Sequence, residues 1–266
     1  MRVERFLELH RRGAPLLLPN PWDAGSARVL AAMGFEGLAT TSSGFAGTLG
    51  RRDGRVSLDE ALDHARRIVE ATPLPVSADL ENGYARDPDG VATTVRRAVG
   101  TGLAGCSIED YSGADENAIY PFELAVERVA AAASVARASD TRIVLTARAE
   151  NFLRGNPDLM DTIARLQAYH EVGADVVYAP GLHRPVDIVA VVNAIDAPVN
   201  VLLLPHGPNV AELAGLGVAR VSIGGAFHAV AMAALETAAR EFKDAGTTDF
   251  WAQAMAGGKI IAKAFD

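Results

Sequence analysis

Short apolar runs bounded by glycine or proline alternate along the chain with longer segments rich in alanine, arginine and glutamate. Aliphatic runs without polar alternation predict strands buried on both faces, and the Ala-rich stretches predict helices. Strands are expected at Leu16–Pro19, Gly37–Thr41, Val76–Asp79, Gly105–Glu109, Ile143–Arg148, Val176–Ala179, Val199–Leu203 and Val221–Ile223. Helices are expected at Ala24–Met33, Leu58–Ala71, Gly90–Gly100, Phe122–Ser139, Leu159–Val172, Pro185–Ile195, Val210–Leu216 and Ala226–Ala245. About eight β-then-α units in about 250 residues predict an α/β fold of the (β/α)8 TIM-barrel type. A doubly wound open sheet is the alternative, although no G-x-G-x-x-G follows the first strand.

The phrases A-A-M-G-F-E-G-L, G-T-G-L-A-G-C-S-I, H-E-V-G-A-D-V-V and A-G-L-G-V-A-R-V each end a helix in glycine and enter a strand. Glycine there tolerates the left-handed backbone that turns the chain back. With 266 residues, 49% of them hydrophobic, one large domain is the simplest division. The formal net charge of −8 removes any general attraction to nucleic acid or an anionic membrane. A charged N-terminus and the lack of a long apolar run fit a cytoplasmic protein with no signal peptide or spanning helix. Cys106 is the single cysteine, so no intrachain disulfide and no cysteine zinc site can form.

Polar residues concentrate where the strands end. Asn20, Trp22 and Asp23 follow the first strand, Thr40 to Ser43 the second, Asp79 and Glu81 the third, and Glu109 and Asp110 the fourth; Arg148 and Glu150 end the fifth, and Asn200 lies in the seventh. In a barrel those ends form the functional mouth. Asp79 and Glu81, in S-A-D-L-E-N-G-Y, converge on one side if the strand persists through Leu80, and are solvated turn residues if it does not. Carboxylates gathered without histidine or cysteine suit a hard cation, Mg2+ with Mn2+ as a substitute. Arg148 either receives an anionic substrate group through its fork or closes a salt bridge to Glu150 or Glu109. Trp22 either caps the mouth or packs in the first helix.

Four ordered stretches carry a resemblance: N-P-W-D-A-G-S-A-R-V-L-A-A-M-G-F-E-G-L-A-T-T-S-S-G-F-A-G-T-L-G-R-R-D, V-S-A-D-L-E-N-G-Y, G-L-A-G-C-S-I-E-D and T-A-R-A-E-N-F. Over nearly its whole length the chain resembles the isocitrate lyase / phosphoenolpyruvate mutase superfamily. The resemblance implies a Mg2+-dependent barrel acting on a small 2-oxo or 2-hydroxy carboxylate. It implies Asp79 as the principal metal acid, with Asp53, Glu81 and Glu109 around the metal's water shell and Asp53, Glu109 and Arg148 in the chemistry. Thr41, Ser42 and Ser43 match the segment that binds the substrate carboxylate, Arg148 the arginine that contacts substrate, and Asn200 a substrate-side residue. It also implies a homodimer or homotetramer in which Phe250 to Phe265 packs on a neighbouring subunit.

Two departures redirect the chemistry. Lyases of isocitrate and methylisocitrate in this superfamily carry K-K-C-G-H after the fourth strand, whereas this chain reads Y-S-G-A-D-E-N-A-I-Y-P, and Cys106 reads as core packing. The phosphonopyruvate enzymes carry a lysine in that loop, but the first lysine here is Lys243. The expectation is therefore a carbon–carbon lyase or decarboxylase acting on an oxaloacetate-like or substituted malate-like acid through an enolate. A carbon–phosphorus enzyme and a non-catalytic 2-oxo acid binder are the other readings. A phosphate-binding role for Gly224 and Gly225 is weaker than close packing as their reason.

Overall fold

Eight short strands and the helices between them are present in the computed structural model, which describes residues 2–115, 118–138 and 142–265. The strands are β1 (Leu16–Leu18), β2 (Leu38–Ala39), β3 (Val76–Asp79), β4 (Gly105–Glu109), β5 (Val144–Arg148), β6 (Val176–Tyr178), β7 (Val199–Leu202) and β8 (Arg220–Ser222). All pair in parallel in the order β1-β8-β7-β6-β5-β4-β3-β2. Between the two ends of that order there is no ladder among the described residues. One backbone bond, Ala39 N–H to the Pro19 carbonyl at 3.1 Å, brings β2 to the end of β1. The result is a nearly closed (β/α)8 barrel.

The helices are α1 (Arg2–Glu8), α2 (Ala24–Ala32), α3 (Ser42–Thr48), α4 (Leu58–Ala71), α5 (Pro88–Val99), α6 (Phe122–Ala138), α7 (Leu159–Glu171), α8 (Pro185–Ala194), α9 (Val210–Gly215), α10 (Ala226–Arg240) and α11 (Trp251–Phe265). The helix expected over Ala226–Ala245 changes to a π turn at Glu241–Ala245. Ser139, the expected end of α6, lies outside the described residues. Local chemistry fixes several starts: Ser57 and Glu60 form a reciprocal cap on α4, and Asp87 accepts the Gly90 N–H ahead of Pro88 on α5.

Outward strand residues such as Cys106, Ile108, Leu145 and Val201 are buried under the helices. Inside the barrel the lower end is apolar: Phe6 of α1 is fully buried with Leu16, Leu18, Val144 and Val176. Burial of such a side chain contributes roughly 1.5–3 kcal/mol. The ring needs space at Gly105, where a Cβ would lie 2.8 Å from the Val144 carbonyl oxygen and 3.0 Å from Phe6. Most of the polar residues that line the cavity lie toward the opposite, C-terminal mouth, and Arg220 with His10 is the exception deeper in the barrel. The last helix, α11, packs on α2 of its own chain, with Arg28 5.9 Å over the Phe265 ring. No described helix is long and apolar enough to cross a membrane.

Candidate active site

β3 delivers Asp79 to the mouth and ends there; it does not run on through Leu80. Glu81 adopts a left-handed backbone, φ 48°, and its N–H donates to Asp79 Oδ1 at 3.2 Å. The two acids therefore come together by a turn and not by strand alternation. Asp79 is held on its other sides by Ser42 N–H to Oδ2 at 3.3 Å and Arg148 Nη1 to Oδ1 at 3.2 Å. Its own N–H donates to Thr40 Oγ1 at 2.9 Å. Glu81 accepts from the Tyr84 hydroxyl at 3.0 Å. Burial first, then Asp79 and Asp53, push the Glu81 carboxyl up to about 7. Asp53 sits on the loop between α3 and α4 and is exposed as a residue, yet its carboxyl faces the cavity. Desolvation and then Asp79 raise its pKa.

Arg148 at the end of β5 closes the salt bridges that its sequence context allows. Its Nη2 meets Glu109 Oε2 at 3.0 Å and Glu150 Oε1 at 2.8 Å, and it also lines the cavity. Burial alone would lower its pKa, but Glu109, Glu150 and Asp79 together raise it well above the usual arginine value. Burial raises the Glu109 pKa against the pull of Arg148. Asp110 turns away: it binds Arg165 at 3.1 Å, the Tyr169 hydroxyl at 2.7 Å and the Glu150 N–H at 2.8 Å, a structural network behind the mouth.

The mouth encloses a cavity of about 210 Å³. Of the residues expected in the site, Thr41, Ser42, Ser43, Asp53, Asp79, Arg148 and Asn200 line it. Glu81 stands behind Asp79, and Glu109 lies beside Arg148 without lining the cavity. Trp22 also lies outside it, edge-on to His228 at 5.5 Å, and its carbonyl is 2.9 Å from His64 Nε2. Thr41 caps α3 by accepting the Gly44 N–H and pairs with Ser43 Oγ at 3.1 Å. Gly225 allows that close fit, since a Cβ there would come within 2.5 Å of Ser43 Oγ. Sequence reasoning missed Tyr178, Arg220 and Ser222 in the lining. Their signal is register: each sits opposite an inward residue of the neighbouring strand, which only the ladder reveals.

Among the described residues no three acid, histidine or cysteine groups converge closely enough to enclose a cation. Asp79 nevertheless lies close enough to help raise the pKa of both Asp53 and Glu81, after burial. Two carboxylates facing the cavity, Asp53 and Asp79, with Glu81 nearby suit Mg2+, which keeps several waters and takes few protein ligands. The residues present therefore fit such an ion.

The phosphoenolpyruvate phosphomutase family model matches residues 6–243. A 2-methylisocitrate lyase homologue of Corynebacterium glutamicum is 29% identical over 90% of this chain and 80% of its own. The oxaloacetate decarboxylase of Paraburkholderia xenovorans is 30% identical over 81% of this chain and 72% of its own. A Burkholderia cenocepacia protein of known structure superposes with a TM-score of 0.93 at 48% identity, covering 99% of this chain and 95% of that one. Oxaloacetate acetylhydrolase in complex with oxalate superposes with a TM-score of 0.88 at 25% identity, covering 98% and 93%. With an acid-lined mouth on a (β/α)8 barrel and a match across most of its length, the chain belongs to the phosphoenolpyruvate phosphomutase family.

Proposed function

We propose that the protein is a Mg2+-dependent carbon–carbon lyase or oxo-acid decarboxylase, acting on a small 2-oxo or 2-hydroxy di- or tricarboxylate through an enolate. The observation that carries this reading is the pair of acids Asp79 and Asp53, with Glu81 behind Asp79, beside Arg148 at a cavity lined among the described residues by no cysteine, histidine or lysine. Oxalate in the acetylhydrolase and the name of the decarboxylase relative support the substrate class.

Asp79, with Asp53, Glu81 and Glu109 around it, would hold the cation. When bound, Mg2+ supplies positive charge where the C2 oxygen gains negative charge. Thr41, Ser42 and Ser43 bind and orient the substrate's first carboxylate, and Asn200 of β7 stands on the substrate side of the cavity. Arg148, fixed by Asp79, Glu109 and Glu150, holds the acids in place and adds fixed positive charge to the mouth. When the C3–C4 bond of an oxaloacetate-like acid breaks, its electron pair becomes the enolate of pyruvate and carbon dioxide leaves. That start needs no base. Asp53, whose carboxyl faces the cavity, is placed to deliver the proton that C3 takes up afterwards. Trp22 steadies the wall behind Gly44, where a Cβ would lie 3.2 Å from its own.

Exposed apolar residues on α10 and α11, among them Phe227, Val230, Leu235, Trp251 and Ile260, suit a second copy of the chain, giving a cytoplasmic homodimer or homotetramer. The test is a screen of oxaloacetate, substituted malates, methylisocitrate and phosphonopyruvate with Mg2+, following pyruvate release. Release from one carbon substrate that EDTA abolishes is the expected result. Undiminished turnover in chelator refutes the metal reading. Saturable binding without product on prolonged incubation would make the protein a binder.

A further inference from the structure

Two arginines line the cavity, and they differ in their partners. Arg148 meets carboxylate oxygens of Asp79, Glu109 and Glu150 at 3.2, 3.0 and 2.8 Å. Arg220, which opens β8, pairs with no carboxylate among the described residues; its Nε donates to Asn200 Oδ1 at 2.9 Å and its Nη1 lies 3.4 Å from His10 Nε2. Neither partner carries negative charge. Asn200 is an amide, and burial first, then Arg220 itself, hold the His10 imidazole down at about 3, so it is neutral. The His10 Nδ1 lies 2.7 Å from the Phe6 carbonyl, which places the ring proton there and leaves Nε2 to accept from Arg220.

Arg220 lines the cavity although only 4% of its surface is exposed. Burial, assisted by Arg148, lowers its pKa to about 10, and Tyr178 opposes the shift; the guanidinium is still charged at neutral pH. A buried charge without a counter-ion is unfavourable for the fold, and two neutral hydrogen-bond acceptors compensate it only in part. An apolar residue would fill the same space without that cost. An anion arriving in the cavity supplies the missing charge.

The surroundings are built to present the fork. Asn200 Nδ2 donates to Ser222 Oγ at 3.0 Å, which fixes the amide with its oxygen toward Arg220. Arg220 stands on β8 and Asp79 on β3, with β1 and β2 between them, and both border the same cavity of about 210 Å³. The acid-lined side suits a cation and the oxygens it attracts. The β7–β8 side offers a planar, doubly donating cation suited to a carboxylate.

We propose that Arg220, with Asn200 and Ser222 beside it, receives the carboxylate at the far end of the substrate, so that the protein selects acids with a second carboxylate over those that end in an alkyl group. This assignment rests on the reading that the near end of the substrate sits at Asp79. Arg220 is then a substrate-binding residue that sets specificity, while Arg148 serves mainly to order the acids around it.

The test compares racemic malate with racemic 2-hydroxybutyrate, which share the 2-hydroxy acid head and the four-carbon chain and differ in the far carboxylate. Calorimetry with Mg2+ should find malate bound about tenfold to a hundredfold more tightly by the intact protein, the effect of one desolvated charge-assisted contact. In Arg220→Met the two affinities should fall within about threefold of each other, through weakening of malate alone. The variant should stay folded, because loss of a buried charge without counter-ion offsets the Asn200 and His10 acceptors it leaves unpaired. If Arg220→Met does not fold, Arg220→Lys decides, because it keeps a cation and loses the fork: malate weakens and 2-hydroxybutyrate does not. A preference that survives in the folded variant, equal weakening of both acids, or no preference in the intact protein overturns the assignment. Binding of 2-hydroxybutyrate that EDTA leaves unchanged sinks the reading of the near end instead, and the malate preference still judges Arg220.

Discussion

Replacing Asp79 by alanine should remove cation-dependent ligand binding and leave the barrel nearly as stable as before. The carboxylate accepts three bonds, from Arg148 and the Glu81 N–H at 3.2 Å and from the Ser42 N–H at 3.3 Å, all at the long end of the range. At about 0.5–1.5 kcal/mol each, and more for the charged one, their loss is worth roughly 2–4 kcal/mol. Against this stands repulsion. Glu81 is raised from 4.5 to about 7, a shift that corresponds to roughly 3 kcal/mol against its ionised form. Burial is the largest cause and Asp79 the next, so removing Asp79 returns about 1 kcal/mol through Glu81, with a further gain at Asp53. Arg148 keeps Glu109 and Glu150 and is not orphaned. The net loss should be about 1–2 kcal/mol, a few degrees in melting temperature for a chain of this size. Urea denaturation at pH 8, calorimetry with Mg2+ and pyruvate, and carboxyl NMR of Glu81 supply the measurements. Glu81 should titrate lower in the variant, though above 4.5 because it stays buried. An unfolded variant, a loss beyond about 4 kcal/mol, or retained Mg2+ binding would show that Asp79 is a structural residue.

Cys106 is fully buried among core side chains, and burial followed by Asp175 pushes its thiol up to about 12. Cys106→Ser should therefore keep most of its turnover per folded molecule, and thiol reagents should inactivate the native protein slowly; rapid inactivation that ligand blocks and the variant lacks would return the protein to the cysteine-using lyases. His10 gives a pH signature. Its folded pKa is lowered from 6.5 to about 3, so its contribution to stability is complete above 6.5 and declines as pH falls from there toward 3, where the unfolded chain takes up a proton that the folded one refuses. Between pH 7 and 4.5 the intact protein should lose roughly 2–3 kcal/mol more than His10→Asn, measured by urea denaturation, and parallel pH profiles would refute the assignment.

The order of strands was legible because short aliphatic runs between glycines have one good use in a chain of this composition, and the bounds of β3, β4 and α4 match their sequence patterns to the residue. α3 was not legible. Its sequence, S-S-G-F-A-G-T, contains weak helix formers, and the helix depends on the Thr41 cap and on Trp22 and His228 packing against Gly44 and Gly47. α1 reads as a charged terminus until Phe6 is seen to plug the barrel. For the mouth, sequence position identified which strand ends carry acids but not how each one faces. Glu81 turns by a left-handed residue that no alternation rule contains, Asp110 turns to Arg165, and Arg220 reads as a surface charge before a strand until its register with Asn200 places it inward.

The unladdered join between β1 and β2 gives the barrel an uneven compliance. β4 and β5 share five paired residues, whereas β1 and β2 are joined by the Ala39 N–H to Pro19 bond and by Asn20, whose amide donates to the Thr40 carbonyl and accepts from the Ile223 and Gly224 N–H groups. Parting the barrel there breaks the fewest backbone bonds, so low-energy opening should concentrate at that join. The acids on β3 and β4 and the arginine on β5 belong to the stiff arc, and Thr41 to Ser43 to the soft one. Charges that must keep their spacing are thus mounted on the rigid wall, while the wall that carries the proposed carboxylate-binding segment is the one free to breathe.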